Sequence, residues 1–278
     1  MINGHTQIYG ILGQPVAHSL SPAMHNAAFR HLGLNAVYVA FPVTDLQKAV
    51  AGIRGLNIQW VSVTIPFKEE IIPLLDELDP HAARMGAVNT VVNRQGRLLG
   101  YNTDWLGALK ALQEKTAIAG EHFLILGAGG AARAIVYGIL KERGRVTVTD
   151  LDAARAAALA RDFAVEAISL NTLGQCPATV LVNATPVGMA PQVDDIPINP
   201  ELLSHFRLVM DIVYRPLTTR LLKEAQARGG ATIDGLKMLL HQAEAQFELW
   251  TGQPAPEEAM SRAAYTALGE ETLPLSLP

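Results

Sequence analysis

Short apolar runs alternate along the whole chain with stretches in which apolar positions recur every three or four residues. The runs read as buried strands and the periodic stretches as amphipathic helices. Residues 8–12 give the first strand. Ser21-Pro22 then opens a helix, with Ser21 as N-cap and Pro22 at the first helical position. Met24, Ala27, Ala28 and Leu32 share one face of that helix, and Gly33 can close it. Strand 36–43, helix 45–55 and strand 60–65 follow. The third strand ends in Pro66-Phe67-Lys68, and a helix is expected to run on through Leu75. Asp79-Pro80 starts another helix, and strands 89–93 and 97–102 join around Gln95-Gly96. Thr103-Asp104 begins a helix with Leu106, Leu109 and Leu112 on one face, which links the two halves of the chain.

The second half opens on a complete strand–helix–strand unit. Phe123-Leu124-Ile125-Leu126 is an apolar strand, and Gly127-Ala128-Gly129-Gly130-Ala131-Ala132 is a glycine-rich turn. A helix over 133–143 leads to strand 146–149, which ends on Asp150. This is a G-x-G-x-x-A loop at the point where strand becomes helix. Gly127 permits the tight turn, Gly129 lets backbone approach a pyrophosphate, and Ala132 lets helix and sheet pack closely. The N–H groups at the helix start then face the anion. The pattern predicts a dinucleotide site. Beyond it come helix 153–163, strand 179–183, strand 208–213, helix 217–228 stopped by Gly229-Gly230, and strand 231–233. A long helix over 236–251 begins at Gly235, another covers 257–268, and the tail 269–278 is expected to fray.

Alternating strands and helices in both halves predict two α/β domains with mainly parallel sheets. Ligands in such sheets bind beyond the carboxyl ends of the strands. The polar positions Ser19, Ser21, Lys68, Asn89, Thr103, Asp104, Thr185 and Gly235 all follow strands. The boundaries read as 1–104 for the first domain and 105–238 for the second.

Composition narrows the function classes. Of 278 residues, 49% are hydrophobic and 17% charged, which supports a large core and argues against disorder. A net charge of -4, with no dense Lys/Arg stripe, argues against a nucleic-acid partner. The one cysteine, Cys176, excludes an intrachain disulfide and fits a reducing, cytoplasmic setting. The start of the chain shows no signal-peptide pattern, and no window reads as a membrane span. The eight histidines are scattered, so no metal site is expected. No long heptad pattern argues for assembly, which leaves monomer and homodimer open.

A dinucleotide that carries hydride leaves the protein to supply an acid or base at the substrate oxygen. Lys68 suits that role and Asp104 could orient it, yet on residue type alone Lys68 reads more readily as a solvated lysine and Asp104 as a helix cap. Ser19 and Ser21 can grip a carboxylate near a helix start, or simply form a capping turn. Thr64, Asn89, Thr103 and Gln242 suit a polyol, or are ordinary turn and strand residues.

The ordered motifs decide between these readings. They run Gly13-Gln14-Pro15-Val16-Ala17-His18-Ser19-Leu20-Ser21-Pro22-Ala23-Met24-His25-Asn26, Val63-Thr64-Ile65-Pro66-Phe67-Lys68, Gly86-Ala87-Val88-Asn89-Thr90 and Gly100-Tyr101-Asn102-Thr103-Asp104. They continue through the glycine loop to Asn183-Ala184-Thr185-Pro186-Val187-Gly188-Met189 and Asp234-Gly235-Leu236. Over nearly its whole length the chain resembles the shikimate dehydrogenase family, whose members include shikimate and quinate dehydrogenases. The resemblance implies an N-terminal α/β substrate domain, completed by returning C-terminal helices over 239–278, and a Rossmann-type dinucleotide-binding domain. It implies that shikimate lies between the domains, with its carboxylate on Ser19 and Ser21 and Tyr214 nearby. Thr64, Lys68, Asn89, Thr103, Asp104 and Gln242 would surround its hydroxyls, Lys68 and Asp104 being the catalytic pair. Gly127, Ala128, Gly129, Gly130 and Ala131 would bind the pyrophosphate. Thr185, Ile212, Gly235 and Met238 would lie near the nicotinamide.

One departure bears on the cofactor. NADP-using members commonly carry Asn-Arg-Thr or Asn-Arg-Ser after the second strand of the nucleotide domain; this chain has Asp150-Leu151-Asp152. Asp150 lies about 20 residues beyond the loop, where an acid binds the ribose 2′-OH of NAD. NAD is therefore expected to be favoured, with Arg155 keeping NADP possible. Some NAD-using relatives oxidise quinate; Ser21 leans toward shikimate. A folate-type dehydrogenase does not suit the Ser19/Ser21 motif. A catalytically silent nucleotide sensor would have lost Lys68 or Asp104, and both are present.

Overall fold

The structure is a computed structural model that describes residues 2–269; the remainder of the tail expected to fray lies outside the described residues. The chain divides into two compact units, 1–103 with 243–278, and 104–242. The cuts fall at 103/104 and 242/243, against 104/105 and 238/239 read from the sequence. Asp104 and Gln242 therefore go with the second unit.

In the first unit β1 spans Gln7–Gly13, α1 Ser21–His31, β2 Ala36–Pro42, α2 Leu46–Gly55 and β3 Trp60–Val63. Two-residue β4 (Glu77–Leu78), α3 (Pro80–Met85), β5 (Thr90–Arg94) and β6 (Arg97–Tyr101) complete its sheet. The described strands lie in the order β2-β1-β3-β5-β6-β4. β1 is parallel to β2 and β3, but β5 runs antiparallel to both β3 and β6. The sheet is thus mixed with three of its five pairings parallel, and β5 and β6 are antiparallel because the Gln95-Gly96 turn is too short for a crossover. Leu12, Val61, Val63, Val91 and Leu98 pack with Val50 and Ile53 of α2 in one buried cluster.

Local chemistry explains most boundaries. The Asp45 carboxylate accepts the Lys48 N–H and starts α2. Asp79 caps α3 by accepting from His81 and Ala82, and Gly86 at φ 64° ends it. Two expectations fail here. Ser21 does not cap α1: Leu20 holds the cap position, and the Ser19 hydroxyl accepts the Ser21 N–H at 3.2 Å. Ser21 is already inside the helix, so the serine two residues earlier takes its donor. The helix expected from Lys68 through Leu75 is only a 3-10 turn at Ile72–Leu74. Pro73 has no N–H to continue it, and Leu75 is extended.

In the second unit α4 spans Asp104–Gln113, β7 His122–Leu126, α5 Gly130–Lys141, β8 Arg145–Thr149, α6 Ala153–Phe163 and β9 Glu166–Ala167. β10 (Val180–Asn183), β11 (Leu208–Asp211), α7 (Arg220–Ala227) and β12 (Ala231–Ile233) follow. α8 (Gly235–Thr251) runs across the division at 242/243 into the first unit, where α9 (Glu257–Leu268) packs on α1. All pairings of the second sheet are parallel, in the order β12-β11-β10-β7-β8-β9. This is the doubly wound Rossmann order, and the winding reverses between β7 and β10. Phe123 and Ile125 pack into one core cluster, Leu124 and Leu126 into another. Both faces of β7 are covered, as its unbroken apolar run requires.

Leu106 does not share the buried face of α4: it is 37% exposed, while Ala108, Leu109, Ala111 and Leu112 are buried. α7 begins at Arg220, later than Leu217, because the Thr219 hydroxyl supplies its cap. Short β9 and the 3-10 segments Leu170–Gln175 and Pro200–His205 carry no periodic signal and went unpredicted.

Candidate active site

The first unit gathers its polar residues beyond the carboxyl ends of β1 and β3. The two following loops are stitched together: Gln14 donates its N–H to the Ile65 carbonyl at 3.0 Å, and Thr64 donates to Leu12 at 2.9 Å. A side chain on Gly13 would start 2.5 Å from the Thr64 methyl, so only glycine allows this approach. Ser19 is half-buried and Ser21 buried, joined by the Ser19 hydroxyl and the Ser21 N–H. Lys68 is half-buried, and its carbonyl accepts the Val88 N–H at 2.8 Å. That bond ties the Lys68 main chain to Val88, the residue before Asn89. Asn89 donates its side-chain amide to the Thr103 hydroxyl at 3.0 Å and accepts the Thr103 N–H at 2.8 Å. Of the predicted substrate residues, the structure thus joins Ser19 with Ser21 and Asn89 with Thr103, and holds the Lys68 main chain against Val88.

Sequence reasoning missed the groups behind them. The Tyr38 hydroxyl donates to Ser62 at 2.7 Å, and Ser62 donates to the Gln246 carbonyl oxygen at 2.9 Å. The Gln246 amide donates to the Asn89 carbonyl at 3.1 Å and the Thr90 hydroxyl at 2.7 Å. Thr90 donates to the Asn89 side-chain oxygen at 2.7 Å. All are buried. A serine in the apolar run Trp60-Val61-Ser62-Val63, and a glutamine one helical turn after Gln242, were the available signals. Burial pushes the Tyr38 phenol far up, so it stays a donor, and pushes the stacked His25 imidazole down to about 3, so it stays neutral.

In the second unit Asp104 is buried in the first turn of α4. A side chain on Gly107 would start 2.8 Å from Gln242 and 2.6 Å from the Met238 carbonyl. Glycine there brings α4 and α8 into backbone contact, which puts Asp104, Gln242 and Met238 on two closely packed helices. Gln242 donates to the Leu239 carbonyl at 2.9 Å. Burial raises the phenol of Tyr214.

The glycine loop lies at the reversal of the sheet. Gly127 has φ +110°, and a side chain there would start 3.0 Å from the Ala184 carbonyl and 3.1 Å from the Thr185 methyl. Gly129 holds the cap position of α5 with no side-chain hydrogen bond, so Gly130 and Ala131 begin the helix with main-chain donors alone. A side chain on Gly129 would start 3.4 Å from an Arg155 nitrogen, which puts that exposed guanidinium at the loop. Backbone that only glycine permits, an uncapped helix start and a nearby cation fit a pyrophosphate.

At the end of β8 the Asp150 carboxylate accepts the Asp152 N–H at 2.9 Å. Asp152 caps α6 through the Ala154 and Arg155 N–H groups. Leu151 between them is 86% exposed. Thr185 bonds to the Asn183 side-chain oxygen at 2.6 Å, and Asn183 donates to Asp211 at 2.9 Å. Asp211 also accepts from Thr219 at 2.7 Å and from the Val213 N–H at 3.0 Å. Burial pushes its carboxyl up to about 6. These bonds tie the loop carrying Thr185 to the one following Ile212. A side chain on Gly235 would start 2.3 Å from the Ile212 carbonyl, which brings the start of α8 onto the same spot.

Residues 11–91 match the model of the shikimate dehydrogenase substrate binding domain, and 235–265 that of the shikimate 5'-dehydrogenase C-terminal domain. The chain is 48% identical to the shikimate dehydrogenase (NADP(+)) of Pyrococcus furiosus, covering 97% of this chain and 99% of that protein. The chain belongs to the shikimate dehydrogenase family. Family membership makes it an oxidoreductase, and solved members share its two-domain architecture. The shikimate 5-dehydrogenase of Thermus thermophilus, solved with NADP(H) and shikimate, is 41% identical with a TM-score of 0.86, covering 94% of this chain and 100% of that one. The Listeria monocytogenes enzyme, solved with shikimate and NAD, is 36% identical with a TM-score of 0.83, covering 94% and 97%. No described helix is long and apolar enough to cross a membrane. Among the described residues no cluster of His, Cys, Asp or Glu could hold a metal ion.

Proposed function

We propose that this protein is a cytoplasmic shikimate dehydrogenase interconverting 3-dehydroshikimate and shikimate, with NAD favoured over NADP and quinate a weaker substrate. What supports the substrate reading is the Asn89–Thr103 pair together with the Lys68 main-chain bond to Val88, next to Asn89 in the chain. That pairing is what an alcohol oxidation at a polyol requires: hydrogen-bonding groups for hydroxyls, and a proton carrier next to them.

Ser19 and Ser21 donate to the substrate carboxylate, and Tyr214 is a further candidate for it. Thr64, Asn89 and Thr103 hold ring hydroxyls, and Gln242 adds an amide. Lys68 gives its proton to the carbonyl oxygen on reduction and takes one from the hydroxyl on oxidation. Asp104 orients that exchange by accepting from the substrate hydroxyl. The nicotinamide, when bound, supplies or receives the hydride. Gly127 to Ala131 hold its pyrophosphate, Asp150 its adenosine ribose, and Thr185, Ile212, Gly235 and Met238 line its nicotinamide end. We assign the first unit to the substrate and the second to the dinucleotide.

NAD preference is supported by what stands between Asp150 and Asp152. NADP-using family members commonly carry arginine at the position of Leu151, and this chain has no guanidinium there to meet a 2′-phosphate. Asp150 adds negative charge. Arg155 beside Gly129 keeps NADP usable, in line with the relative named as an NADP(+) enzyme. The test is a steady-state comparison of shikimate and quinate, each with NAD and NADP. The expected result is the largest kcat/KM for shikimate with NAD. A larger value with NADP overturns the cofactor reading, a larger value for quinate the substrate reading, and no turnover the proposal as a whole.

A further inference from the structure

The buried bonds behind the first unit's polar residues form one continuous, directed chain. Each donor hands on to the next: Tyr38 to Ser62, Ser62 to Gln246, Gln246 to Thr90, Thr90 to Asn89, Asn89 to Thr103. At its other end Ser21 lies next to the Tyr38 hydroxyl. The chain therefore runs from beside a residue assigned to the substrate carboxylate to the pair assigned to its hydroxyls. Gln246 is its centre. It is 1% exposed, accepts from Ser62 and donates to both the Asn89 carbonyl and Thr90. Only a neutral amide can accept on one side and donate twice on the other.

The consequence falls on Asn89. Its side-chain oxygen accepts from both Thr90 and the Thr103 N–H, so its nitrogen is the end turned to the Thr103 hydroxyl. Without Gln246, Thr90 and the Asn89 carbonyl would each lose a buried donor, and of the two bonds that orient the Asn89 amide only the one from the Thr103 N–H would stay fixed. Gln246 lies 156 residues downstream of Thr90, 157 of Asn89 and 184 of Ser62, on the helix that returns to this unit.

We infer that Gln246, with Ser62 and Tyr38, is a positioning residue that holds Ser21, Asn89 and Thr103 in the arrangement that binds substrate. This rests on the activity reading above. The test measures KM for shikimate and for the dinucleotide, kcat and melting temperature in Gln246→Leu, Ser62→Ala and their double variant. Gln246→Leu is expected to raise KM for shikimate about tenfold, equivalent to about 1.4 kcal/mol. KM for the dinucleotide should stay at the wild-type value, and kcat should fall by less than about threefold. The double variant should be no worse than Gln246→Leu alone, because both break one chain. A role confined to stability would lower the melting temperature and leave KM of the folded enzyme alone; that result, or fully additive effects, overturns the inference. Tyr38→Phe removes one hydroxyl with no change of packing volume, so it decides the matter if Gln246→Leu does not fold. A rise of at least about threefold in KM for shikimate supports the chain, and an unchanged KM overturns it. A wild-type enzyme inert toward shikimate would overturn the activity reading and the inference with it.

Discussion

In the second unit the surface proposed to face the dinucleotide is mostly backbone: a glycine at φ +110°, a helix start without a side-chain cap, and loops drawn together around Asp211. In the first unit the corresponding surface is side chains: Ser19, Ser21, Lys68, Asn89 and Thr103, with a buried hydrogen-bonded chain behind them. The difference follows from the ligands. A pyrophosphate is one anion that any set of well-aimed N–H groups can hold. A polyol carries several hydroxyls in a fixed stereochemistry, and separating it from its analogues needs donors and acceptors of fixed orientation. Backbone supplies the first cheaply, whereas the second needs side chains locked by further side chains.

Substitutions in the two units should therefore fail in different ways. Gly127→Val forces a branched side chain into a positive-φ position 3.0 Å from the Ala184 carbonyl. It should raise KM for the dinucleotide on the order of 100-fold, about 2.7 kcal/mol, and leave shikimate affinity unaltered. An equal loss for both ligands, measured by binding titrations, would contradict the separation. Leu151→Arg is expected to shift the NADP-to-NAD ratio of kcat/KM upward by about tenfold, with no change in KM for shikimate. An unchanged ratio would mean that Arg155 already governs the choice.

The remaining effect concerns stability and leaves both ligands' affinities aside. Asp211 has its carboxyl raised from 3.8 to about 6 by burial, so between those values the native state holds a proton that the unfolded state has lost. Its contribution is fully present below pH 3.8 and is lost as pH rises through about 6. Carboxylates held low by partners, such as Asp76 beside Arg54, slope the other way, so the difference between wild type and Asp211→Asn is the useful quantity. Denaturant melts from pH 4 to 7 should show wild type losing at most about 3 kcal/mol relative to the variant. Parallel curves would rule out titration of Asp211 in this range.

The same contrast explains what could be read in advance. The glycine loop, the strand–helix–strand unit and the end on Asp150 are local, and they appear in the fold as written. The chain through Gln246 is not legible in this way, because its members lie far apart in sequence and each looks unremarkable alone. Ser62 reads as a strand residue and Gln246 as one more polar position on a long helix. The failed expectations have local causes of the same kind. Pro73 stops a helix that apolar spacing alone would continue, and Ser19 takes the donor that Ser21 leaves.

Replacing Lys68 bears most directly on the account, since everything else on the first unit's surface only binds. Lys68→Ala should keep the melting temperature and shikimate binding near wild type while kcat falls by about 10²–10⁴. Near-normal turnover in a folded Lys68→Ala enzyme would contradict the assignment of proton transfer to this residue.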